Sequence, residues 1–290
     1  MSAAPSADAS ADRFIDLHTH STASDGVFAP GTVVATARAA GLAAIALTDH
    51  DTVDGYEEAR VAGEAQGLRV IAGVELSAHE ADREFHVLGL HLTRLGALEA
   101  RLGALRATRR TRAGQIVDKL RALGIPIDLD AVWREAGDGA VGRPHIARVL
   151  TMHGWAKDHR DAFDRLIGAG RPAYVPKQRL PMPEAVEMVH EAGGLAIIAH
   201  PGPHGSRTRL EAWKRIGFDG VEVRHPSHTA EDVARLGTLA DYLDMVKSGG
   251  SDWHGAPEGP RTLGNMRVPF AWLDRHDALL RERTTSERVA

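Results

Sequence analysis

The sequence predicts an α/β fold: a parallel sheet, closed into a barrel or left open, with a helical insertion set into it. Three observations carry that reading. Seven short apolar runs have the character of buried strands, most are separated by segments of helical pattern, and residues 96–178 contain helical pattern but no convincing strand. Parallel neighbours need a crossover of about a dozen residues or more, which the intervening helices supply.

The elements follow in order. Arg13–His18 is the first strand, Pro30–Ala40 the first helix and Ala43–Thr48 the second strand. A helix over Asp54–Gln66 leads to a third strand, Arg69–Val74. Both helices are Ala-rich, Pro30 opens the first, and Gly41 and Gly67 stand just past their ends. Proline fits the start of a helix and glycine its close. Glu84–Leu92 is the fourth strand, and a long helical pattern over Leu98–Leu123 then opens the insertion. Strands resume at Leu195–Ala199, Gly220–Arg224 and Met245–Gly249, accompanied by helices Pro183–Ala192, Arg209–Ile216 and Thr229–Asp244. Ala-Ala-Ile-Ala-Leu and Leu-Ala-Ile-Ile-Ala are continuous apolar runs, as strands buried on both faces require. No fixed repeat is evident, which argues against a solenoid. The expected organisation is a disordered tail at 1–12, a barrel from 13–95 and 179–280, and a helical cap at 96–178.

Composition sets the limits. With 43% hydrophobic and 26% charged residues, the chain reads as an ordinary globular protein. The formal net charge of -4 gives no general attraction for polyanions, so any affinity for phosphate must be local. Cysteine is absent, which excludes disulfides, thiolate ligands and a cysteine nucleophile. The first twelve residues, MSAAPSADASAD, lack the basic and apolar regions of a signal peptide, and no run is apolar enough to span a membrane. A cytoplasmic location is the default expectation, with no membrane contact and no protein partner.

The chemistry lies where the strands end. Phe14-Ile15-Asp16-Leu17-His18-Thr19-His20 is a strand-forming run ending in His-x-His, with Asp25 five residues beyond. Alternate residues of an extended chain share a side, so both imidazoles can reach one ion. Thr48-Asp49-His50-Asp51, Glu75, His86, His200 and Ser251-Asp252-Trp253-His254 fall at or just beyond the ends of other strand-like runs. In α/β barrels the active site is built at the C-terminal face of the strands, and scattered histidines would not choose one end of each. Nine candidate ligands result: His18, His20, Asp25, His50, Glu75, His86, His200, Asp252 and His254. One zinc takes three or four protein ligands, so nine suit two or three ions. Three divalent ions facing three carboxylates would leave the pocket positive, drawing in phosphate and activating bound water as a nucleophile. Phosphoester hydrolysis is the chemistry this pattern favours. Mn, Fe or Zn would each suit such imidazole and carboxylate donors.

In order, DLHTHSTASDG, TDHDT, GVELS, FHVLGL, AHP and GGSDWHG resemble the PHP (polymerase and histidinol phosphatase) family over nearly the whole chain. Gly142-Arg143-Pro144-His145-Ile146 and Pro172-Ala173-Tyr174-Val175-Pro176 resemble its branch of nucleoside 3',5'-bisphosphate phosphatases and short-RNA 5'-3' exonucleases. That resemblance implies a distorted (β/α)7 barrel and a trinuclear centre. One ion would take His18, His20, Glu75 and Asp252, a second Glu75, His86 and His200, and a third Asp25, His50 and His254. It also implies that Arg143 and His145 reach over the metals to bind the substrate's phosphate, with His145 doing so or protonating the leaving group. Related sequences often carry an aromatic residue where this chain has Arg224, so Arg224 reads as an additional phosphate contact.

Other features weigh less. His225 stands between a substrate contact and a loop residue. Arg109 and Arg110, within the basic cluster Arg106, Arg109, Arg110 and Arg112, are either phosphate-steering groups or a solvated helix face. Asp49 and Asp51 are either partners that orient ligand histidines or loop caps. His79, His91, His153, His159, His190, His204, His228 and His276 read as surface or packing residues. Neither His79-Glu80 nor His190-Glu191 is followed by the second histidine of a helical zinc-protease motif. The expected function is removal of the 3'-phosphate of a nucleoside 3',5'-bisphosphate, with short RNA a second substrate. Histidinol-phosphate hydrolysis and a non-catalytic, metal-stabilised accessory module are the competing readings.

Overall fold

Every expected strand forms in the computed structural model, which describes residues 13–136, 141–176 and 179–289. The expected tail at 1–12 lies outside the described residues, as do positions 137–140 and 177–178 of the insertion. The strands are β1 (Phe14–Thr19), β2 (Ala44–Leu47), β3 (Arg69–Glu80), β4 (Arg83–Leu90), β5 (Leu195–Ile198), β6 (Gly220–Arg224), β7 (Val246–Gly249) and β8 (Val268–Pro269). They form one sheet in the order β7-β6-β5-β4-β3-β2-β1-β8. Beyond the end of β7 the chain pairs with β1, the His20 amide donating to the Trp253 carbonyl at 2.9 Å. The barrel is thereby nearly closed.

The sheet is not wholly parallel. β4 runs antiparallel to both β3 and β5, and the short β8, unforeseen in the sequence, is antiparallel to β1. The cause is the link between β3 and β4, only Ala81 and Asp82, with Ala81 at φ 52°. Two residues can turn a hairpin but cannot carry a crossover. Neither Ala nor Asp-Arg signals such a turn, so β3 reads in sequence as ending at Val74 although it runs on to Glu80. One consequence reaches the site: His86, near the start of β4, lies at the level where the parallel strands end.

Alternation packs two layers. Ile15, Leu17, Ala44 and Ala46 join a buried cluster with Leu273 of the C-terminal helix, while Ile45 and Leu47 pack with Val33, Val34 and Ala37. Those three belong to α1 (Pro30–Ala39), and α2 is Tyr56–Gln66, closed by Gly67 at φ 66°. The later helices are α3 (Leu95–Ala122), α4 (Leu129–Ala136), α5 (Arg143–Met152), α6 (His159–Ala162), α7 (Met182–Glu191), α8 (Arg207–Arg215), α9 (Ala230–Tyr242) and α10 (Phe270–Val289). α9 opens on a capping box, in which Thr229 Oγ1 accepts from the Asp232 amide and the Asp232 carboxylate accepts from the Thr229 amide, both at 3.1 Å.

The chain divides into two compact units, one of Ala100–Arg179 and one made from the segments on either side of it. Ala100–Arg179 has its own core, in which Ile116, Val117, Leu120, Val132, Ile146, Leu150 and Ile167 are buried together. No helix among the described residues is long and apolar enough to cross a membrane.

Candidate metal centre

Glu75 is the hub. It is buried in the middle of β3, at the level where β2 has ended, and His50 bridges to it there. Its Oε1 meets His86 Nδ1 at 2.7 Å and His200 Nε2 at 3.1 Å. Its Oε2 lies 3.3 Å from His18 Nε2, 3.3 Å from His20 Nε2 and 3.2 Å from His50 Nδ1. Five imidazoles from four separate segments thus converge on one carboxylate. Sheet pairing accounts for His86: Ser77 faces His86 and Glu75 faces Leu88, which makes Glu75 and His86 diagonal neighbours on one face. Glu75 does not mark the end of its strand, as expected from sequence; the strand simply continues into the hairpin.

The remaining ligand candidates flank the hub. Asp252 Oδ1 is 3.2 Å from His20 Nε2 and 3.5 Å from His18 Nε2. His254 Nε2 is 3.1 Å from Asp25 Oδ1, and His50 Nε2 is 3.9 Å from Asp25 Oδ2. Four groupings among the described residues have donor atoms close enough to hold an ion: His18, His20, Glu75 and Asp252; His20, Asp25, His50 and His254; His50, Glu75 and His86; and His18, Glu222 and His225. The first coincides with an expected ligand set and the second contains another. In the third, His50 stands beside Glu75 and His86 where His200 was expected, although His200 also touches Glu75.

The donor set fits cations. His18 Nε2 and both ring nitrogens of His20 are buried without a hydrogen-bond partner. Buried polar atoms are rarely left so, and an imidazole lone pair turned toward carboxylates calls for a metal ion. Charge agrees. Burial alone would raise Glu75, but His86, His18 and His50 outweigh it and hold the carboxyl well below its ordinary range. Burial likewise opposes the charged form of His86, yet Glu75 lifts it to about 10, while Asp252 and Glu75 lift His20 to about 9.

These shifts predict proton release on metal loading. Without ions both imidazoles carry a proton at pH 7.5, and a metal binds only the neutral ring. In the ion-free protein their stabilising pairs are complete below about pH 6.5 and are lost as pH rises through about 9 to 10, whereas metal affinity rises over that window. Titrating the chain with metal in buffers of different ionisation enthalpy should give buffer-dependent heats. Identical heats in all buffers would contradict the shifts.

Residues not singled out from the sequence hold the ligands in place. Glu222, fully buried in β6, accepts from His18 Nδ1 at 3.0 Å and from the His200 amide at 2.7 Å. Committing Nδ1 turns the Nε2 lone pair of His18 toward the centre. An acid inside Val221-Glu222-Val223 was a readable signal, because a buried charge needs a stated partner. Asp16 accepts from the Ser251 amide at 2.9 Å and the Gly264 amide at 3.0 Å, joining β1 to the loop that carries Asp252. Arg261 pairs with the Asp252 carboxylate, and nothing in the sequence marked it. His200 at φ 27°, Asp51 at φ 52° and Asp252 at φ 51° hold left-handed backbone that costs non-glycine residues about 1–3 kcal/mol each, as at many functional sites. Glu222→Ala should weaken metal binding by roughly 10- to 100-fold. A competitive chelator titration showing wild-type affinity would refute that role.

Other expected residues lie as follows. Asp49 braces the loop carrying His20 and Asp25, accepting from Ser21 N at 2.7 Å and Ser24 Oγ at 2.6 Å, rather than orienting a histidine. His225 is buried, with Nε2 3.3 Å from Asp252 Oδ2 and Nδ1 2.7 Å from Ser227 Oγ, which positions it behind a ligand. Arg224 turns elsewhere: its guanidinium donates to the Met266 and Arg267 carbonyls and lies 5.4 Å over the Trp272 ring. Arg143, His145, Arg109 and Arg110 belong to Ala100–Arg179. There the His145 Nδ1 accepts from the Gly142 amide at 3.0 Å, capping α5, and the exposed Arg110 lies 6.0 Å from the Trp133 ring.

A sequence profile of the PHP domain matches residues 16–106. The chain is 38% identical over 245 residues to a 5'-3' exoribonuclease of Haemophilus influenzae, covering 82% of this chain and 89% of that one. The chain belongs to the PHP family. It is also 36% identical over 258 residues to a 3',5'-nucleoside bisphosphate phosphatase of Chromobacterium violaceum, covering 87% and 90% of the two chains. The crystal structure of a presumed metal-dependent phosphoesterase from Bifidobacterium adolescentis superposes with a TM-score of 0.74 at 32% identity, over 91% of this chain and 95% of that one. As a PHP protein with a full complement of imidazole and carboxylate donors, this chain is a metal-dependent phosphoesterase.

Proposed function

We propose that this PHP protein removes the 3'-phosphate of nucleoside 3',5'-bisphosphates in the cytoplasm and also shortens small RNAs from the 5' end. The observation that carries it is the convergence of five imidazoles on Glu75, joined by Asp25, Asp252 and His254. In the proposed arrangement His18, His20, Glu75 and Asp252 hold one ion, Asp25, His50 and His254 a second, and Glu75 with His86 and His200 a third. Bound divalent ions would activate water and neutralise phosphate charge.

The chain's own groups supply the rest. Glu222 fixes the tautomer of His18, and His225 positions Asp252. Arg143 offers a guanidinium fork to a phosphate, and His145 binds the same group or protonates the leaving oxygen. The names of the relatives support the nucleotide reading. The Haemophilus influenzae relative is named for acting on RNA and the Chromobacterium violaceum relative for acting on nucleoside bisphosphates, and the alignments cover at least 82% of this chain.

The test is phosphate release from adenosine 3',5'-bisphosphate, 3'-AMP, 5'-AMP and histidinol phosphate, with Mn, Fe and Zn supplied separately. The bisphosphate should be preferred over each monophosphate by more than tenfold in kcat/KM, since contacts to a second phosphate are worth about 1.5–3 kcal/mol each. Faster turnover of histidinol phosphate would overturn the substrate assignment and leave the metal chemistry standing.

A further inference from the structure

The loop between the ligand pair Asp252 and His254 and strand β8 sets a permanent cation beside the metal centre. Arg261 pairs through Nη1 with Asp252 Oδ2, and the same nitrogen lies 3.3 Å from the Asp252 carbonyl. The other oxygen of that carboxylate, Oδ1, faces His18 Nε2 at 3.5 Å, His20 Nε2 at 3.2 Å and His254 Nδ1 at 3.5 Å. One carboxylate therefore stands between a candidate ion position and the guanidinium. The mount is firm. Thr262 donates to the Gly259 carbonyl from its amide at 3.2 Å and from its hydroxyl at 2.8 Å, Leu263 is buried, and the Gly264 amide is tied to Asp16 at 3.0 Å. Pro260, immediately before Arg261, fixes its own φ and stiffens the turn.

Neutralising Asp252 does not account for this arginine. His225 Nε2 already stands 3.3 Å from Oδ2, and three imidazoles face Oδ1. Ions held by the same histidines would add more positive charge. A guanidinium cannot shed its proton, so a fixed one beside divalent ions is repulsive unless an anion lies against both. Arg261 also keeps donors in reserve. Its hydrogen bonds all leave from Nη1; among the described residues Nε and Nη2 make none, and the side chain is 44% exposed. The unused Nε and Nη2 edge is the planar pair of donors that fits two oxygens of one phosphate.

We propose that Arg261 donates from Nε and Nη2 to the phosphoryl group held at the metal centre, while Nη1 stays on Asp252. The inference rests on metal-dependent phosphoester hydrolysis at this centre and not on the choice of nucleotide. Asp252 has a double part in it. One oxygen faces the ligand histidines and the other orients the guanidinium, so metal and arginine are aimed at one anion by a single side chain. The contact lies wholly within the unit that carries the metal ligands. Lysine could not replace it, since an ammonium offers no planar pair of donors.

The test is made on the manganese-loaded full chain. Inorganic phosphate is titrated calorimetrically, with manganese content measured on the same samples. Arg261→Gln should keep its manganese and bind phosphate at least about tenfold more weakly, the loss expected of a charge-assisted pair. Arg261→Lys should recover only part of that affinity. Hydrolysis of p-nitrophenyl phosphate, which carries one phosphate and no base, should fall by a similar factor in kcat/KM. Phosphate affinity in Arg261→Gln indistinguishable from wild type overturns the contact. So does a loss that only follows lost manganese, which would make Arg261 a brace for Asp252. No phosphate binding by the loaded wild type overturns it as well. Thermal melting identifies a variant that has lost its fold, and Arg261→Met, which keeps the apolar stem, is then judged by the same titration. If wild type binds phosphate but hydrolyses no phosphoester, the phosphoesterase reading has failed, and the titration alone judges Arg261.

Discussion

Glu75→Ala is expected to lose bound metal and at least about a thousandfold in phosphate release, equivalent to about 4 kcal/mol of transition-state stabilisation. No other carboxylate in the described residues has five imidazoles within 3.3 Å. Its loss removes a donor common to more than one candidate ion position. It also removes the charge that offsets mutual repulsion among His18, His20, His50 and His86, whose protons would then compete differently for the site. Glu75→Gln keeps the shape of the side chain and separates loss of charge from collapse of packing. His18→Ala should behave similarly, because it removes an orphaned Nε2 and leaves buried Glu222 without its histidine partner. Elemental analysis after metal supplementation, run beside activity, gives the result. A Glu75→Ala protein with wild-type metal content and turnover would sink the assignment of the centre.

Arg143→Ala should lower kcat/KM by roughly 30- to 150-fold while leaving metal content unchanged. A lost charge-assisted contact to phosphate is worth about 2–3 kcal/mol. Arg143 is not among the groups that surround Glu75, and its own neighbours are Phe163, Tyr174 and the Ile167 carbonyl. Substitution therefore removes a stacked cation from Ala100–Arg179, and a melting curve should accompany the kinetics to separate binding from folding. Arg143→Lys keeps the charge but not the planar fork, and should recover only part of the loss. Wild-type kinetics for Arg143→Ala on every nucleotide tested would make the residue structural.

Much of the centre was legible because its pieces are local. His18-Thr19-His20 needs only an extended backbone to present two rings together, and His50, His200 and Asp252 follow buried strands whose apolar runs stand out. The seven expected strands formed for the same reason: continuous burial leaves a plain trace in composition. Glu75 and His86 were identified as ligand candidates, but their placement depended on a hairpin that the sequence hid. Ala81 adopts φ 52° without the Asn or Gly that advertises such a turn. β8 escaped notice because two residues carry no periodicity.

What the sequence determined by itself is the inventory: an α/β chain interrupted by a helical insertion, and nine donor candidates spaced for more than one divalent ion. Tertiary structure decided which of those donors meet. It placed His50 beside both Asp25 and Glu75, set Glu222 behind His18, turned Arg224 to the Met266 and Arg267 carbonyls, and buried His225 against Asp252. The physical reason is range. Periodicity and strand ends are written in neighbouring residues. A carboxylate such as Glu222 acquires its role from a histidine 204 positions away, through a sheet pairing that no local pattern encodes.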